Sequence, residues 1–349
     1  MSKSWKIKLW TLLFVFLLIF FGCATVETPV LEDSQQVRRV AKDLDFETLF
    51  VGDIMLGRFV ETLANRHGDS YPFVYLPEIR QQADLLIGNL EGPITETENH
   101  RQTPDFSTSF SFPQKVAKVL ADVGFEALSL ANNHTFDRGE ASFEYTKAQL
   151  RGNGIAEFGH PLDPSLGSVF VQDLSDLDKR LVVIGLHAAT VELDVVKAVD
   201  LIKSQNLVPE RDLIVVYPHW GPEYVDRGTD RQRAMAEAFI DAGADLIIGH
   251  HPHVIQNVET YKNKPIIYSL GNFVFDQYFS VATQQGLAVR LKMATDGYEL
   301  ELMPLEIIKS QPQLFKDQGK SDYLLLELAK RSSEELASGI SSGKLKFSY

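Results

Sequence analysis

An α/β domain built on mixed sheets is the fold class this sequence predicts, and two observations carry it. Through the first half of the chain, short aliphatic runs ending in glycine or polar residues alternate with helically spaced segments, as strands and their flanking helices do. In the second half the runs pair around short turns, which adds antiparallel strands to a sheet that begins parallel. No internal repeat or linker composition interrupts 46–310, so that stretch reads as one domain.

The chain opens with a targeting segment. Lys3, Lys6 and Lys8 precede an apolar stretch over 9–21 broken only by Thr11, and Gly22-Cys23 follow. This is the order of a secretory signal, and the stretch is shorter than the roughly 20 residues that span a bilayer. Cys23 is the only cysteine. Its place resembles a bacterial lipoprotein box, with Phe20 where Leu is usual. Residues 1–22 are therefore expected to be a lipoprotein-type signal peptide, with Cys23 a lipidated anchor on the extracytoplasmic side of a membrane. An uncleaved signal anchor and a simple signal peptide are the other readings, and all three export the body. Residues 23–45, polar with Pro29 and Arg38-Arg39, read as a tether. A lone cysteine leaves the body without internal disulfides.

The domain elements follow in order. A strand over 48–51 ends at Gly52-Asp53, and a helix covers about 59–66. A strand over 84–87 ends at Gly88-Asn89-Leu90-Glu91. Residues 92–109 are polar and read as a surface loop. Val116, Val119, Leu120 and Val123 share one face of a helix over 114–123. A strand over 127–130 ends at Ala131-Asn132-Asn133-His134, and Gly152-Asn153-Gly154 closes a helix over 140–151. Strands over 181–186 and 212–217 come next, the second ending at Pro218-His219-Trp220-Gly221. Gly243 stops a helix over 231–242. The run 246–249 reads as a buried strand that empties into His250-His251-Pro252-His253. Hairpins are predicted for 255–259 with 265–270 and, around Asp296-Gly297, for 287–293 with 298–304. The polar tail 311–349, with a helix over 322–337, is expected to pack on the outside of the domain or extend from it.

Of the 349 residues 44% are hydrophobic, enough for a large core, and the net charge of −13 argues against a nucleic-acid partner. Five predicted strands end in groups that bind metals or phosphates: Asp53; Asn89 with Glu91; Asn133 with His134; His219; and His250, His251 and His253. Three of the nine histidines lie in that last loop. Open α/β sheets bind ligands at the carboxyl ends of their strands. Carboxylates mixed with imidazoles suit Mn, Fe, Zn or Mg, and two such ions about 3.5–4 Å apart promote in-line displacement at phosphorus. Some residues keep two readings at this point. Asp53 is a ligand or a turn carboxylate. Asn133 and Asn272 are functional amides or left-handed turn residues. Trp220 is a packing residue or a substrate wall, and Glu223 and Tyr224 support ligands or touch substrate. His187 reads as a satisfied core or rim residue; His67, His100 and His160 read as surface. Neither Ser129 nor Ser269 sits in a Gly-x-Ser-x-Gly elbow, which disfavours a serine hydrolase.

Six segments in order resemble the CapA family, which is linked to poly-γ-glutamate capsule biosynthesis. They are Gly52 to Gly57 (GDIMLG), Gly88-Asn89-Leu90-Glu91, Ala131-Asn132-Asn133-His134 with Asp137 and Gly139, His219 to Tyr224 (HWGPEY), Gly249 to Val254 (GHHPHV), and Ser269 to Phe273 (SLGNF). The resemblance covers roughly 46–310. It implies a four-layer α/β/β/α calcineurin-like metallophosphatase sandwich of two mixed sheets. It also implies a hydrolase with one or two divalent ions, acting on an anionic polymer or a phosphate-containing substrate beside other capsule synthesis and export proteins. On that pattern Asp53 is the first ligand and catalytic, Glu91 replaces a bridging Asp, and Asn133, His219, His251 and His253 complete the metal set, with His250 an alternative to His251. His134 is the catalytic acid, and Asn89, His250, Trp220, Glu223, Tyr224 and Asn272 stand behind them or against substrate. Two departures weigh on the chemistry. Met55 occupies the place of a metal-binding histidine, and Glu91 is one methylene longer than Asp. They keep a second function class open, a non-catalytic polymer- or partner-binding protein on the same fold.

Overall fold

In the computed structural model, which describes residues 45–97, 100–205, 208 and 211–349, the alternation along the first strand sets the layers. The expected signal peptide, Cys23 and the tether up to residue 44 lie outside the described residues. In chain order the strands are β1 (Phe46–Ile54), β2 (Leu85–Leu90), β3 (Ile94–Thr95), β4 (Phe112–Pro113), β5 (Ala127–Ser129), β6 (Ala156–Phe158), β7 (Val169–Leu174), β8 (Lys179–Ala188), β9 (Asp212–Trp220), β10 (Leu246–Ile248), β11 (Val258–Tyr261), β12 (Lys264–Ile267), β13 (Asn272–Val274), β14 (Gln285–Met293), β15 (Gly297–Ile308), β16 (Gln311–Leu314) and β17 (Lys344–Ser348). The main helices are α1 (Arg58–His67), α2 (Leu76–Arg80), α3 (Lys115–Asp122), α4 (Gly139–Gly152), α5 (Val195–Gln205), α6 (Asp230–Asp241), α7 (Gln318–Arg331) and α8 (Ala337–Ser341).

One sheet has the order β16-β15-β14-β1-β2-β5-β6, with β13 also pairing β1 and β17 also pairing β15; the other runs β11-β12-β10-β9-β8-β7. Both are mixed. β1, β2, β5 and β6 run parallel while β14 to β17 join antiparallel. β8, β9, β10 and β12 run parallel, with antiparallel β7 and β11 at the edges.

Side chains on a strand alternate faces. Leu49 and Val51 of β1 pack against Val60, Leu76, Val116, Leu120 and Leu150 from α1 to α4. Phe50 points the other way, into a core shared with Leu181, Val183, Leu213, Val215 and Leu246 of the second sheet. The opposite parity of that sheet (Val182, Ile184, Ile214, Val216, Ile247) meets Ala198, Ile202, Met235 and Phe239 of α5 and α6. The result is the four-layer α/β/β/α sandwich that the resemblance implies.

The C-terminal segment differs from expectation. It does not lie outside the domain: β16 and β17 flank β15, and Leu324, Leu325, Leu328, Ile340, Leu345 and Phe347 enter the core between the sheets. Its polar composition reflects the outward faces of α7 and β17, while every inward position is apolar. The helix there ends at Arg331. The stretch 92–109, read as loop, contains β3, which pairs with β4.

Candidate metal centre

The strand ends converge where the two sheets meet. β1 delivers Asp53, β2 delivers Asn89 and, just beyond its end, Glu91. The turn after β5 carries Asn133 and His134, β9 carries His219 as its last residue but one, and the loop after β10 carries His251 and His253. Asp53 lies in register with both Asn89 and Asn272, and His219 bridges to His250. Two glycines permit these approaches. A Cβ on Gly52 would lie 2.0 Å from the Gly271 carbonyl oxygen, and one on Gly249 would lie 2.0 Å from that of Tyr268. His251 and His253 both adopt positive φ, 95° and 56°. Non-glycine residues in that region cost about 1–3 kcal/mol each and collect at functional sites.

The polar atoms form one network. Asn89 Nδ2 donates to Asp53 Oδ1 (2.8 Å) and to His219 Nδ1 (3.1 Å), so His219 Nε2 carries the proton that reaches Asn133 Oδ1 (2.7 Å). The backbone N–H of His251 donates to Asp53 Oδ2 (3.2 Å), and its Nδ1 lies 3.1 Å from His219 Nε2. Asn272 gives both amide hydrogens to Gln277 and the Thr283 carbonyl, so its Oδ1 accepts from His253 Nδ1 (3.0 Å). His253 Nε2 then faces Glu91 Oε1 at 3.7 Å. His134 Nε2 stands 3.8 Å from the same oxygen, while its Nδ1 meets Asp137 at 2.8 Å. The Asn132 amide joins Asn89 to the Leu90 carbonyl beneath.

Glu91 is fully buried, and neither carboxylate oxygen has a hydrogen-bond partner. Buried polar atoms are almost always satisfied, and an unsatisfied carboxylate is costly. Burial pushes its pKa well up, against the opposing charge of His253. Burial also works against Asp53, but the bond to His253 and the charges of His253 and His250 outweigh it and hold that carboxylate low. Burial depresses His219 strongly and brings His251 down to about 3, each reinforced by neighbouring histidines. His253 goes the other way: Glu91 and Asp53 overcome its burial and raise it to about 9. Ligand atoms of Glu91, His251 and His253 lie within 4.8 Å of one another, as do those of Asp53, Glu91 and His219. The two groups share Glu91. Their oxygen and imidazole donors, with the orphaned carboxylate at the centre, fit a divalent cation.

The remaining predicted residues divide. Asn89 hydrogen-bonds Asp53 and His219, and Asn272 hydrogen-bonds His253; Tyr224, φ 61°, stands at the rim with its ring 6.1 Å from that of His253 and Glu223 beside it. His250 belongs to neither ligand group: its ring lies 3.9 Å from that of Tyr217 between the sheets, with Nε2 3.4 Å from the Val51 carbonyl. Trp220 is also removed from the site. It is fully buried between the second sheet and α6, donates to the Tyr268 carbonyl and stacks on Phe239, because its place on β9 faces opposite to His219. Met55 turns its sulfur to the Gly57 amide (3.2 Å) within the helix-side core. His100 and His160 are not free surface histidines: His100 bonds Glu61, Thr95 and Ser111, and His160 packs on Phe136 and Phe143. Ser129 and Ser269 each accept from the amide two residues on, as turn formers. Sequence reasoning missed Arg58, Phe110 and Phe275, which wall the site. Phe110 lies in a polar stretch with no periodicity to mark it.

Comparison with known proteins identifies the family. Residues 47–277 match the family model described as bacterial capsule synthesis protein PGA_cap. The chain is 32% identical to the PGA biosynthesis protein CapA of Bacillus subtilis, over 96% of this chain and 89% of that one. It is 33% identical to the capsule biosynthesis protein CapA of Bacillus anthracis, over 75% and 68%. A probable polyglutamine synthesis accessory protein of Mycobacterium tuberculosis is 27% identical over 53% and 56%. With the matched segment carrying Asp53, Glu91, Asn133, His134, His219, His251 and His253, this chain belongs to the bacterial capsule synthesis (PGA_cap, CapA-type) family.

Proposed function

We propose that this chain is an exported, membrane-tethered hydrolase of capsule biosynthesis that cleaves a phosphate ester with the help of one or two divalent ions of the Mn, Fe, Zn or Mg class. The observation that carries the reading is Glu91, a buried carboxylate with two orphaned oxygens surrounded by His134, His219 and His253. Asp53, Glu91, Asn133, His219, His251 and His253 would hold the cation. Such an ion supplies Lewis acidity and lowers the pKa of water toward neutrality. The protein's own part is proton transfer and orientation. His134, fixed by Asp137 through Nδ1, presents Nε2 to the site and gives the leaving oxygen its proton. The relatives' names, PGA biosynthesis protein and capsule biosynthesis protein, support a place in capsule synthesis; within it we assign an anionic polymer or a phosphate-containing molecule as substrate class and other capsule synthesis and export proteins as partners. Lipidation at Cys23 would hold the domain at the membrane.

The test uses the full-length protein in detergent, loaded with manganese. It should retain metal and turn over a generic phosphodiester, and His134→Ala should keep the metal while losing about 10²–10⁴-fold in kcat. A wild-type protein that takes up no metal and cleaves no ester overturns the reading. Met55, turned into the core, favours a second reading in which the same fold only grips polymer or partner. In a capsule-forming host, His134→Ala then leaves the capsule intact; the hydrolase reading requires its loss.

A further inference from the structure

We infer that Arg58 is a positioning residue for the centre, holding the two aromatic rings that fix His134 and His253. Gly57-Arg58 lie just past the end of β1, after Met55 and Leu56, and Arg58 begins α1 with φ 48°, a strained value for a residue with a side chain. Its side chain is 11% exposed. Nη2 pairs with Asp276, whose second oxygen accepts the Phe59 amide, and Nη1 donates to the Ser107 carbonyl (2.9 Å). The guanidinium carbon lies 5.0 Å from the Phe110 ring centre and 5.5 Å from that of Phe275. One cation therefore ties the start of α1 to the 107–110 loop and to the segment after β13, with an aromatic face on each loop.

The two rings it joins are the rings that touch the histidines. Phe110 lies 4.0 Å from His134, centre to centre, and Phe275 lies 4.8 Å from His253; the two phenylalanines meet edge to face at 6.0 Å. The Asp137 carboxylate that orients His134 also accepts the Phe110 amide. Both imidazoles thus lean on a wall whose other side is Arg58. Nη1 and Nη2 each bond a partner outside the ligand groups, Ser107 and Asp276, while the buried Nε has no partner; the contacts that lead from Arg58 to the two histidines run through the rings. Displacements of this kind change rate more than affinity for substrate.

The kinetic part of the test rests on the hydrolase reading, so a metal-binding arm accompanies it. Arg58→Ala in the manganese-loaded full-length protein should lower kcat for a generic phosphodiester at least tenfold with KM changed less than threefold. Millimolar guanidine should restore part of that loss. Phe110→Leu, which leaves Arg58 in place, should reproduce the kcat loss, and the double variant should fall little further than either single one. Manganese affinity of Arg58→Ala, read by calorimetry, should weaken at least fivefold through His253. A rise in KM at unchanged kcat would make Arg58 a substrate ligand and overturn the proposal, as would additive losses in the double variant. If the wild type cleaves no ester, the hydrolase reading fails alone. The Arg58 proposal then stands or falls on whether manganese binding weakens and guanidine rescues it.

Discussion

Asn272 shows how one amide decides what a histidine can do. With both hydrogens spent on Gln277 and Thr283, its oxygen faces His253, which places a proton on Nδ1 and turns Nε2 toward Glu91. Partners of this kind are worth about 10–100-fold in metal affinity. Asn272→Leu should therefore weaken manganese binding by that order while the fold persists, with calorimetry as the readout; unchanged affinity would remove the role. In the sequence alone Asn272 has two readings, turn former or functional amide. The choice rests on where Gln277 and Thr283 lie, which no local pattern records. Asp53, Asn133, His219, His251 and His253 were legible because each follows an aliphatic run. Arg58, Phe110 and Phe275 were not, since their role depends on loops distant in sequence packing together.

Among the elements, legibility followed burial. β2, β9 and β10 are buried along their whole length, and each shows in the sequence through an apolar core of residues, LLI, LIVVY and LII. β7, half exposed, and β17, exposed at alternate positions, carry mixed composition and escaped notice, as did α5, whose valines read ambiguously. The same ambiguity made 311–349 look peripheral. Leu328 of α7 is fully buried among residues of both sheets. Leu328→Ala should cost about 2–5 kcal/mol, read as a lower denaturant midpoint, and a chain ending at 310 should be insoluble because the edge of β15 and the inter-sheet core lose their cover. Recovery of a soluble, cooperatively melting 1–310 protein would contradict this placement.

For the molecule as a whole, the buried histidines set an acid limit. Burial lowers His187 from 6.5 to about 4, against its bond to the Pro161 carbonyl, and lowers His219, His250 and His251 as well. A folded-state pKa below the unfolded value means that the stability involved is complete above pH 6.5 and lost as pH falls toward 4. For His187 alone the shift corresponds to about 3 kcal/mol. His253, raised to about 9, contributes oppositely: its share is complete below 6.5 and lost as pH rises through 9. Metal-free protein should therefore melt at progressively lower temperature from pH 6.5 to 4, and His187→Gln should flatten that limb. A melting temperature constant between pH 7 and 5 would contradict the assignment.

The ligand set straddles a seam, with Asp53 and Glu91 arriving from one sheet and His219, His251 and His253 from the other. Neither sheet owns the centre, so ligand spacing gauges how the two sheets are seated on each other. Close-packed interiors transmit strain. A change of volume at Phe50, Val183 or Leu328, all in the inter-sheet core, is thereby felt as a change in the spacing of these donor groups. The inter-sheet core answers to two demands at once, stability and the spacing of the donor groups, and a variant that satisfies the first can still fail the second.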